Sequence, residues 1–162
     1  MRFPKYVGLD VAKKPIGLCR ARFAEDHTKS FFLYDPCSFV DNHGIFRADM
    51  ALSLDVIYHL TEDKVYRAYM EHLFSAAEAF VIIYSCDFED KQQGHVRCRK
   101  FSSWVDSHCP GWRLLKRIPN PSPYDPGGRT GSWSDFFIYR KEQPRSCAAR
   151  ADGSGRSRPL AC

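Results

Sequence analysis

Four aspartates stand where short apolar segments of the chain end, and they are the side chains best placed to bind a ligand. They are Asp10, Asp35, Asp55 and Asp87. In open α/β sheets, ligands bind beyond the carboxyl ends of the strands. A carboxylate there can accept a hydrogen bond from each hydroxyl of a ribose, because it offers two oxygens. The four acids therefore indicate such a binding site, although aspartate is also an ordinary turn residue and that interpretation of each one stays open.

The elements that must position these acids follow from the spacing of apolar residues. Six apolar segments predict strands, at residues 5–11, 30–34, 48–57, 80–84, 112–118 and 135–140. Apolar residues at helical spacing predict helices after Pro15, after Thr61, and from Phe101 to His108. Strands that are apolar on both faces and alternate with helices indicate a mostly parallel sheet covered on each side. The last two strands, joined by one Pro/Gly-rich loop, indicate an antiparallel hairpin at the edge, so the predicted fold class is an α/β open sheet.

Three of the aspartate-bearing segments resemble motifs of the class I S-adenosylmethionine-dependent methyltransferases. YVGLDVA resembles the second strand of that family, FFLYDP resembles the third strand, and ALSLDVIYHL resembles the fourth-strand motif. The closing SDFFIYRK resembles the seventh strand, which is inserted antiparallel. The resemblance extends from Lys5 to Lys141 and implies a Rossmann-like methyltransferase sheet that binds S-adenosylmethionine.

The resemblance also implies a set of cofactor-binding residues. They are Asp10, Val11, Asp35, Pro36, Ser53 and Asp55. By that resemblance, Asp10 would hold the cofactor ribose and Asp35 would meet the adenine amino group. Ser53 and Asp55 would lie beside the methionine end of the cofactor. No metal site is expected, because no two His/Cys pairs stand at zinc-ligand spacing.

Tyr58 and His59 follow the fourth-strand motif and are the candidate catalytic residues. They lie near the point where a methyl acceptor would approach, and a base there could take a proton from an attacking oxygen or nitrogen. A structural histidine at the solvent edge and a tyrosine that covers the core remain the alternatives. Nearby in the chain, Arg97, Arg99 and Lys100 are expected to form a solvated face, or otherwise a contact for a substrate anion.

One part of the family pattern has no counterpart in this sequence. The family's first strand, its glycine-rich loop and the following helix should precede Lys5, and none of the ten glycines supplies that loop. In the family's sheet order, this strand lies between the strands that carry Asp10 and Asp55. We therefore expect residues 1–141 to form the C-terminal part of a methyltransferase domain, an incomplete sheet with two open central strand edges. The alternative is that the two flanking strands close up and pair directly.

Composition narrows the class of protein. Hydrophobic residues make up 44% of the 162 residues and aromatic residues 14%, which excludes wholesale disorder. No apolar run approaches the roughly 20 residues of a membrane span, and no signal-peptide pattern is present, so a cytoplasmic protein is expected. The seven cysteines include no CxxC pair and are expected to be free thiols, not a disulfide framework. Residues 142–162 have almost no large apolar side chains and are expected to be a disordered tail.

Two functions from different classes follow from these observations. The first is S-adenosylmethionine-dependent methyl transfer to an unidentified small-molecule acceptor, impaired in a chain without the first strand. The second is a non-catalytic remnant or interaction module that does not bind the cofactor alone. A nicotinamide-binding domain is a weaker third interpretation, because the glycine fingerprint is missing. Beyond the small-molecule substrate, we expect self-association through exposed strand edges. The net charge is +5, and residues 142–162 account for +2 of it, so the charge that remains on the body of the chain is too small to indicate nucleic acid.

Overall fold

The computed structural model describes residues 5–90, 94–127 and 130–142. These residues form six strands and three helices, which are β1 (Tyr6–Asp10), α1 (Lys13–Arg22), β2 (Lys29–Leu33), β3 (Ala48–Leu54), α2 (Asp63–Ala76), β4 (Ala77–Ser85), α3 (Phe101–His108), β5 (Trp112–Ile118) and β6 (Asp135–Lys141). A single 3-10 turn, Ile57–His59, follows β3. Every strand and helix predicted from apolar spacing is present within a few residues. The prediction of a disordered tail lies outside the described residues, apart from Glu142.

The strands form two separate sheets. β1 and β2 pair in parallel, while the second sheet has the strand order β3-β4-β6-β5. Within the second sheet β3 and β4 are parallel, and β6 lies antiparallel between β4 and β5. The antiparallel hairpin predicted for the two C-terminal strands is therefore confirmed, with β5 at the edge of the sheet.

The core lies between the larger sheet and helices α2 and α3. Asp63 stands in the first turn of α2, where a carboxylate interacts favourably with the helix dipole. The apolar side chains with no exposed surface come from α2, β4 and α3, and they are Met70, Val81, Ile83, Phe101 and Val105. Val81 and Ile83 share one face of β4 because successive strand side chains point to opposite faces. This packing fixes one face of the larger sheet against the two helices.

No described helix covers that opposite face of the larger sheet. On β3 it carries Met50, Leu52 and Leu54, which are 47%, 44% and 51% exposed. The strand pairing extends this apolar surface to Ile82 on β4 and Ile138 on β6. The expectation of a sheet covered on each side is therefore wrong for the described residues. α1 packs on the small sheet instead.

β1 and β3 do not pair with each other, so each has an open edge among the described residues. The expectation that the two strands stay apart is confirmed, and direct pairing between them is not observed. The outer edge of β2 differs, because the Arg20 guanidinium donates to the carbonyl oxygen of Phe31 from two nitrogens, at 2.8 and 2.7 Å. The two sheets are joined through Tyr34, which follows β2 and whose hydroxyl lies 2.8 Å from Nδ1 of His72 on α2.

Two expectations about polar residues are corrected by the structure. Cys86 and Cys98 form a disulfide with their Cα atoms 6.0 Å apart, a spacing that suits such a bond, so the cysteines are not all free thiols. Arg99, expected on a solvated face, is only 6% exposed. It donates to the carbonyl oxygen of Thr61 at 2.7 Å and to the Asp63 carboxylate at 3.0 Å. Arg99 therefore holds the start of α2 and is not placed to contact a substrate anion.

None of the described helices is long and apolar enough to cross a membrane.

Candidate functional site

Three of the predicted aspartates lie at the carboxyl ends of parallel strands. Asp10 is the last residue of β1, Asp35 lies two residues beyond β2, and Asp55 directly follows β3. Beside the first two, Val11 and Asp35 line an open cleft of about 640 Å³. Most of the remaining lining is apolar and includes Leu9, Phe32 and Phe46. The end of the small sheet therefore offers an apolar surface next to two carboxylates.

Asp10 has one carboxylate oxygen engaged in local structure and one available to a ligand. Oδ1 accepts a hydrogen bond from the backbone N–H of Ala12 at 2.8 Å, where the chain passes from β1 into α1. This contact fixes the side chain beyond the end of the strand. No described residue donates to Oδ2, which can therefore accept a hydrogen bond from a bound hydroxyl.

Asp35 is held on both oxygens by the turn that follows it. Oδ1 accepts from the backbone N–H of Cys37 and Oδ2 accepts from the Ser38 hydroxyl, both at 2.9 Å. The bond from Cys37, and then the bond from Ser38, lower the pKa of the Asp35 carboxyl. Pro36 lies between Asp35 and Cys37 in the chain and is buried. The interpretation of Asp35 as a turn residue therefore has direct structural support, although each oxygen retains a further lone pair for a ligand.

Ser53 and Asp55 differ in their access to a ligand. Ser53 is 1% exposed, and its hydroxyl accepts a hydrogen bond from the Tyr69 hydroxyl of α2 at 2.8 Å. Its side chain is therefore not available at the site, and only its backbone could contact a cofactor. Asp55 is exposed and has a φ of 56°, a left-handed conformation that turns the chain away from β3. The Ser134 hydroxyl lies 3.5 Å from its Oδ1.

Tyr58 and His59 lie together in the 3-10 turn after β3, but their environments differ. Burial, followed by a hydrogen bond with Asp55, raises the pKa of Tyr58 to about 12. The phenol therefore stays protonated at neutral pH. His59 is exposed, and its ring stacks on the ring of His95 with centroids 5.5 Å apart and planes at 8°.

Sequence reasoning missed His95. Its carbonyl oxygen lies 3.4 Å from Nδ1 of His59, and its segment is held in place because the Arg97 N–H donates to the carbonyl oxygen of Tyr58 at 2.8 Å. The segment has neither strand nor helix periodicity. The sequence therefore gave no indication that His95 lies beside the turn after β3.

Loop residues 119–127 and 130–134 add an aromatic surface near Asp55. Asn120 donates to the Tyr84 hydroxyl at 2.6 Å, and that hydroxyl donates to Ser132 at 3.1 Å, so the loop is tied to β4. Trp133, the neighbour of Ser134, is 52% exposed and packs on Tyr124 with ring centroids 4.4 Å apart. The sequence indicated a Pro/Gly-rich loop here, but it did not predict the hydrogen bonds that tie this loop to β4.

The fourth aspartate does not join the others. Asp87 follows β4, and its Oδ1 accepts a hydrogen bond from the backbone N–H of Ser102 in the first turn of α3, at 2.9 Å. Asp87 therefore stabilises a helix start, as the turn interpretation of these acids allowed.

The remaining site residues fall into two groups, one on each sheet. Asp10, Val11, Asp35 and Pro36 lie at the strand ends of the small sheet, while Asp55, Tyr58 and His59 follow β3 of the larger sheet.

Within the described ranges, no glycine-rich turn joins a parallel strand to a helix. Across those same ranges, no group of three or more His, Cys, Asp and Glu side chains could hold a metal ion.

Comparison with known proteins gives matches at the level of structure. Neither the protein-family models nor the curated protein sequences match this chain. The methyltransferase domain of bacterial CtHen1-C matches with a TM-score of 0.63 and 17% identity, over 87% of this chain and 79% of that chain. The N-methyltransferase NodS from Bradyrhizobium japonicum, solved with S-adenosyl-L-homocysteine, matches with a TM-score of 0.64 and 13% identity, over 86% and 67%. Magnesium protoporphyrin IX methyltransferase from Synechocystis, solved with bound S-adenosylmethionine, matches with a TM-score of 0.56 and 15% identity, over 84% and 59%.

At these identities the likeness establishes the fold. The chain has the class I S-adenosylmethionine-dependent methyltransferase fold that its strand motifs indicated. Because the match with CtHen1-C extends over 87% of the chain, both sheets correspond to parts of a single methyltransferase fold.

Proposed function

We propose that the protein takes part in S-adenosylmethionine-dependent methyl transfer to a small-molecule acceptor. The observation that carries the proposal is the position of Asp10, whose Oδ2 has no described partner at the carboxyl end of β1. In open α/β sheets this end of the strands is where ligands bind. The structural neighbours solved with S-adenosyl-L-homocysteine or S-adenosylmethionine support the choice of ligand.

The described residues fit the nucleoside part of this cofactor. The ribose hydroxyls would donate to Asp10, and the adenine ring would pack on apolar side chains of the cleft such as Leu9, Val11 and Phe32. Asp35 would accept from the adenine amino group while Cys37 and Ser38 hold its carboxylate. The bound cofactor would supply a methyl group already activated on a sulfonium. No described turn offers backbone N–H donors to the carboxylate at the amino-acid end of the cofactor. We therefore expect weak cofactor binding and impaired methyl transfer by this chain alone.

On the acceptor side, the environments of Tyr58 and His59 suggest different roles. Tyr58 has a raised pKa of about 12, so it would donate a hydrogen bond at neutral pH and would not act as a base. His59 is exposed and lies four residues beyond Asp55 in the sequence, and histidine is the side chain that most often serves as a general base. We therefore assign the general base to His59 and substrate orientation to Tyr58, next to the aromatic surface of Trp133 and Tyr124.

Ligand-observed saturation-transfer NMR with S-adenosylhomocysteine tests the cofactor assignment, because this method detects weak binding. We expect saturation transfer to the ribose and adenine protons. Asp10→Asn keeps an oxygen for the Ala12 N–H but removes the charged acceptor, and should weaken binding by about 1.5–3 kcal/mol, or roughly 10- to 150-fold. Asp106→Asn, at an exposed position on α3, is the matched control and should leave binding unchanged.

Absence of saturation transfer to the ribose would reject the cofactor assignment. Equal affinity in Asp10→Asn and the parent chain would reject the role of Asp10 while leaving the cofactor in place.

An interaction module is the second candidate function, and the open edges of β1 and β3 favour it. Unpaired strand edges readily pair with another strand, including that of a second copy. This function predicts association without any effect of S-adenosylhomocysteine, whereas the methyltransferase function predicts cofactor binding.

A further inference from the structure

The loop between β5 and β6 holds Trp133 in a fixed position at the surface. The backbone N–H of Tyr124 donates to the carbonyl oxygen of Ser132 at 3.0 Å, which closes the loop on itself. Gly131 has a φ of 87°, and a Cβ at this residue would lie 2.3 Å from the carbonyl oxygen of Pro123. Only glycine fits this close approach. The backbone that carries the exposed indole is therefore ordered before any ligand binds.

Trp133 and two neighbouring rings, Phe88 and Tyr124, form an aromatic corner that is open to solvent. The Phe88 ring stands at 81° to the indole, with centroids 6.3 Å apart. The Tyr124 ring packs on the same indole at 59°. Trp133 and Phe88 remain exposed even with these contacts. Because aromatic rings prefer offset-stacked or edge-to-face contacts, a flat ring can stack on one side chain of the corner while its edge meets another.

The aromatic corner lies beside the residues that we assign to the methyl acceptor. Ser134 follows Trp133 in the chain, and its hydroxyl lies 3.5 Å from Oδ1 of Asp55. Asp55 also shares a hydrogen bond with Tyr58, the neighbour of His59. A ring bound in the corner would therefore lie next to the proposed general base.

Acidic residues flank the aromatic corner and restrict the charge of its ligand. Glu89 follows Phe88 in the chain, and Asp125 follows Tyr124. Neither Glu89 nor Asp55 forms an ion pair with a described lysine or arginine. A ligand with a carboxylate or a phosphate would be repelled by these acids, whereas an uncharged ring would not.

We propose that Trp133 and Phe88 select a planar, uncharged phenol as the methyl acceptor, an inference that rests on the proposed methyl transfer. A phenolic hydroxyl suits a histidine base because its pKa is about 10, as in tyrosine, well below that of an aliphatic hydroxyl. The phenol oxygen would bond to the methyl carbon of S-adenosylmethionine as the methyl–sulfur bond breaks and leaves its electron pair on sulfur. The phenolic proton would pass to His59. The products are an aryl methyl ether and S-adenosylhomocysteine.

Three small molecules test the class of acceptor by saturation-transfer NMR titration of the 162-residue protein without cofactor. Naphthol, a fused-ring phenol, is the probe. Decahydronaphthol has the same carbon skeleton and hydroxyl but no flat aromatic ring, and hydroxynaphthoate adds a carboxylate to the aromatic rings. Naphthol should bind about 3- to 10-fold more tightly than decahydronaphthol, because only naphthol can stack. Hydroxynaphthoate should bind more weakly than naphthol, since its carboxylate meets the acidic residues.

Variants at Trp133 test the position of the ligand. Trp133→Leu keeps an apolar side chain but removes the aromatic face, so naphthol should bind about 3- to 10-fold more weakly. Trp133→Phe should restore most of the affinity. Tyr6→Ala, which removes an exposed ring from β1, is the matched control and should leave naphthol binding unchanged. S-adenosylhomocysteine should bind all three variants as it binds the parent chain, which shows that they remain folded.

The two ligands separate failure of this inference from failure of the proposed function. Equal binding of naphthol and decahydronaphthol to the parent chain would overturn the inference, and so would equal naphthol binding by Trp133→Leu and the parent. S-adenosylhomocysteine binding would in both cases leave the proposed methyl transfer in place. Tighter binding of hydroxynaphthoate than of naphthol would overturn the uncharged class. Naphthol binding without any S-adenosylhomocysteine binding would reject the proposed function, and the role of the corner in selecting an acceptor would be rejected with it.

Discussion

The Tyr34 hydroxyl lies 2.8 Å from Nδ1 of His72, and this contact joins the two sheets of the protein. Tyr34 follows β2, while His72 lies on α2 against the larger sheet. Phe39 adds to the same junction, with its ring centroid 5.0 Å from that of the His72 imidazole. Because β1 and β3 share no backbone hydrogen bonds, these side chains determine how firmly the small sheet is attached.

Tyr34→Phe should therefore destabilise the protein. The change removes one hydroxyl from a side chain that is 7% exposed and leaves Nδ1 of His72 without its hydrogen-bond partner. We expect a loss of about 0.5–1.5 kcal/mol in the free energy of unfolding, measured by urea denaturation. Tyr6→Phe removes a hydroxyl from a ring that is 49% exposed and should change stability by less than about 0.5 kcal/mol. Equal stability of Tyr34→Phe and the parent chain would show that the contact does not hold the sheets together.

The same pair predicts a pH dependence of stability. Burial lowers the pKa of His72 below its usual value, with a smaller opposing contribution from Glu71. The unfolded chain then binds a proton at this site more readily than the folded protein, so stability falls as the pH drops below the unfolded value of about 6.5. Tyr34 and Phe39 are the neighbours that face the imidazole, and neither carries a charge at this pH.

Urea denaturation at pH 7.5 and pH 5.5 measures this effect. The decrease in stability between these values should be smaller in His72→Gln than in the parent chain. His43→Gln, which removes an exposed imidazole, should leave the decrease as it is in the parent. A steeper decrease in His72→Gln than in the parent would show that protonation of His72 favours the folded state.

Much of the fold could be predicted because its signals are local. Apolar alternation and helical spacing depend on neighbouring residues, so β1, α1 and α3 were located to within about one or two residues. The boundary between α2 and β4 was less certain, because Ala76 and Ala77 pass from helix to strand without a turn residue. The bare face of β3 was not predicted, since its residues are as apolar as those of a buried strand.

The site was less predictable because it depends on which residues meet in space. The strand ends gave the positions of Asp10 and Asp55. They did not show that Ser53 faces α2 and bonds to Tyr69, since a strand residue can face either side of a sheet. The contact between His59 and His95 spans 36 residues and joins two irregular segments.

The disulfide between Cys86 and Cys98 gives a further prediction, because it fixes the segment that carries His95. Cys86 directly follows β4, and the sequence separation between the two cysteines is 12 residues. Closing a loop of this length stabilises a fold by about 3 kcal/mol in the chain-entropy treatment. The Cys86→Ser/Cys98→Ser double variant should therefore lose up to about 3 kcal/mol of stability in urea denaturation, and the parent chain should lose a similar amount in reductant.

Three measurements separate this disulfide from an incidental pair of thiols. Proteolysis without reductant should yield one peptide that contains both Cys86 and Cys98, and reductant should split it. Cys37→Ser, at an exposed free cysteine, should neither change the stability nor abolish that peptide. In the double variant, the NMR signals of the His59 and His95 rings should shift towards those of freely exposed histidines, because their stacking depends on the position of residues 94–98. Unchanged ring signals together with unchanged stability would show that the Arg97 contact to Tyr58 holds this segment without the disulfide.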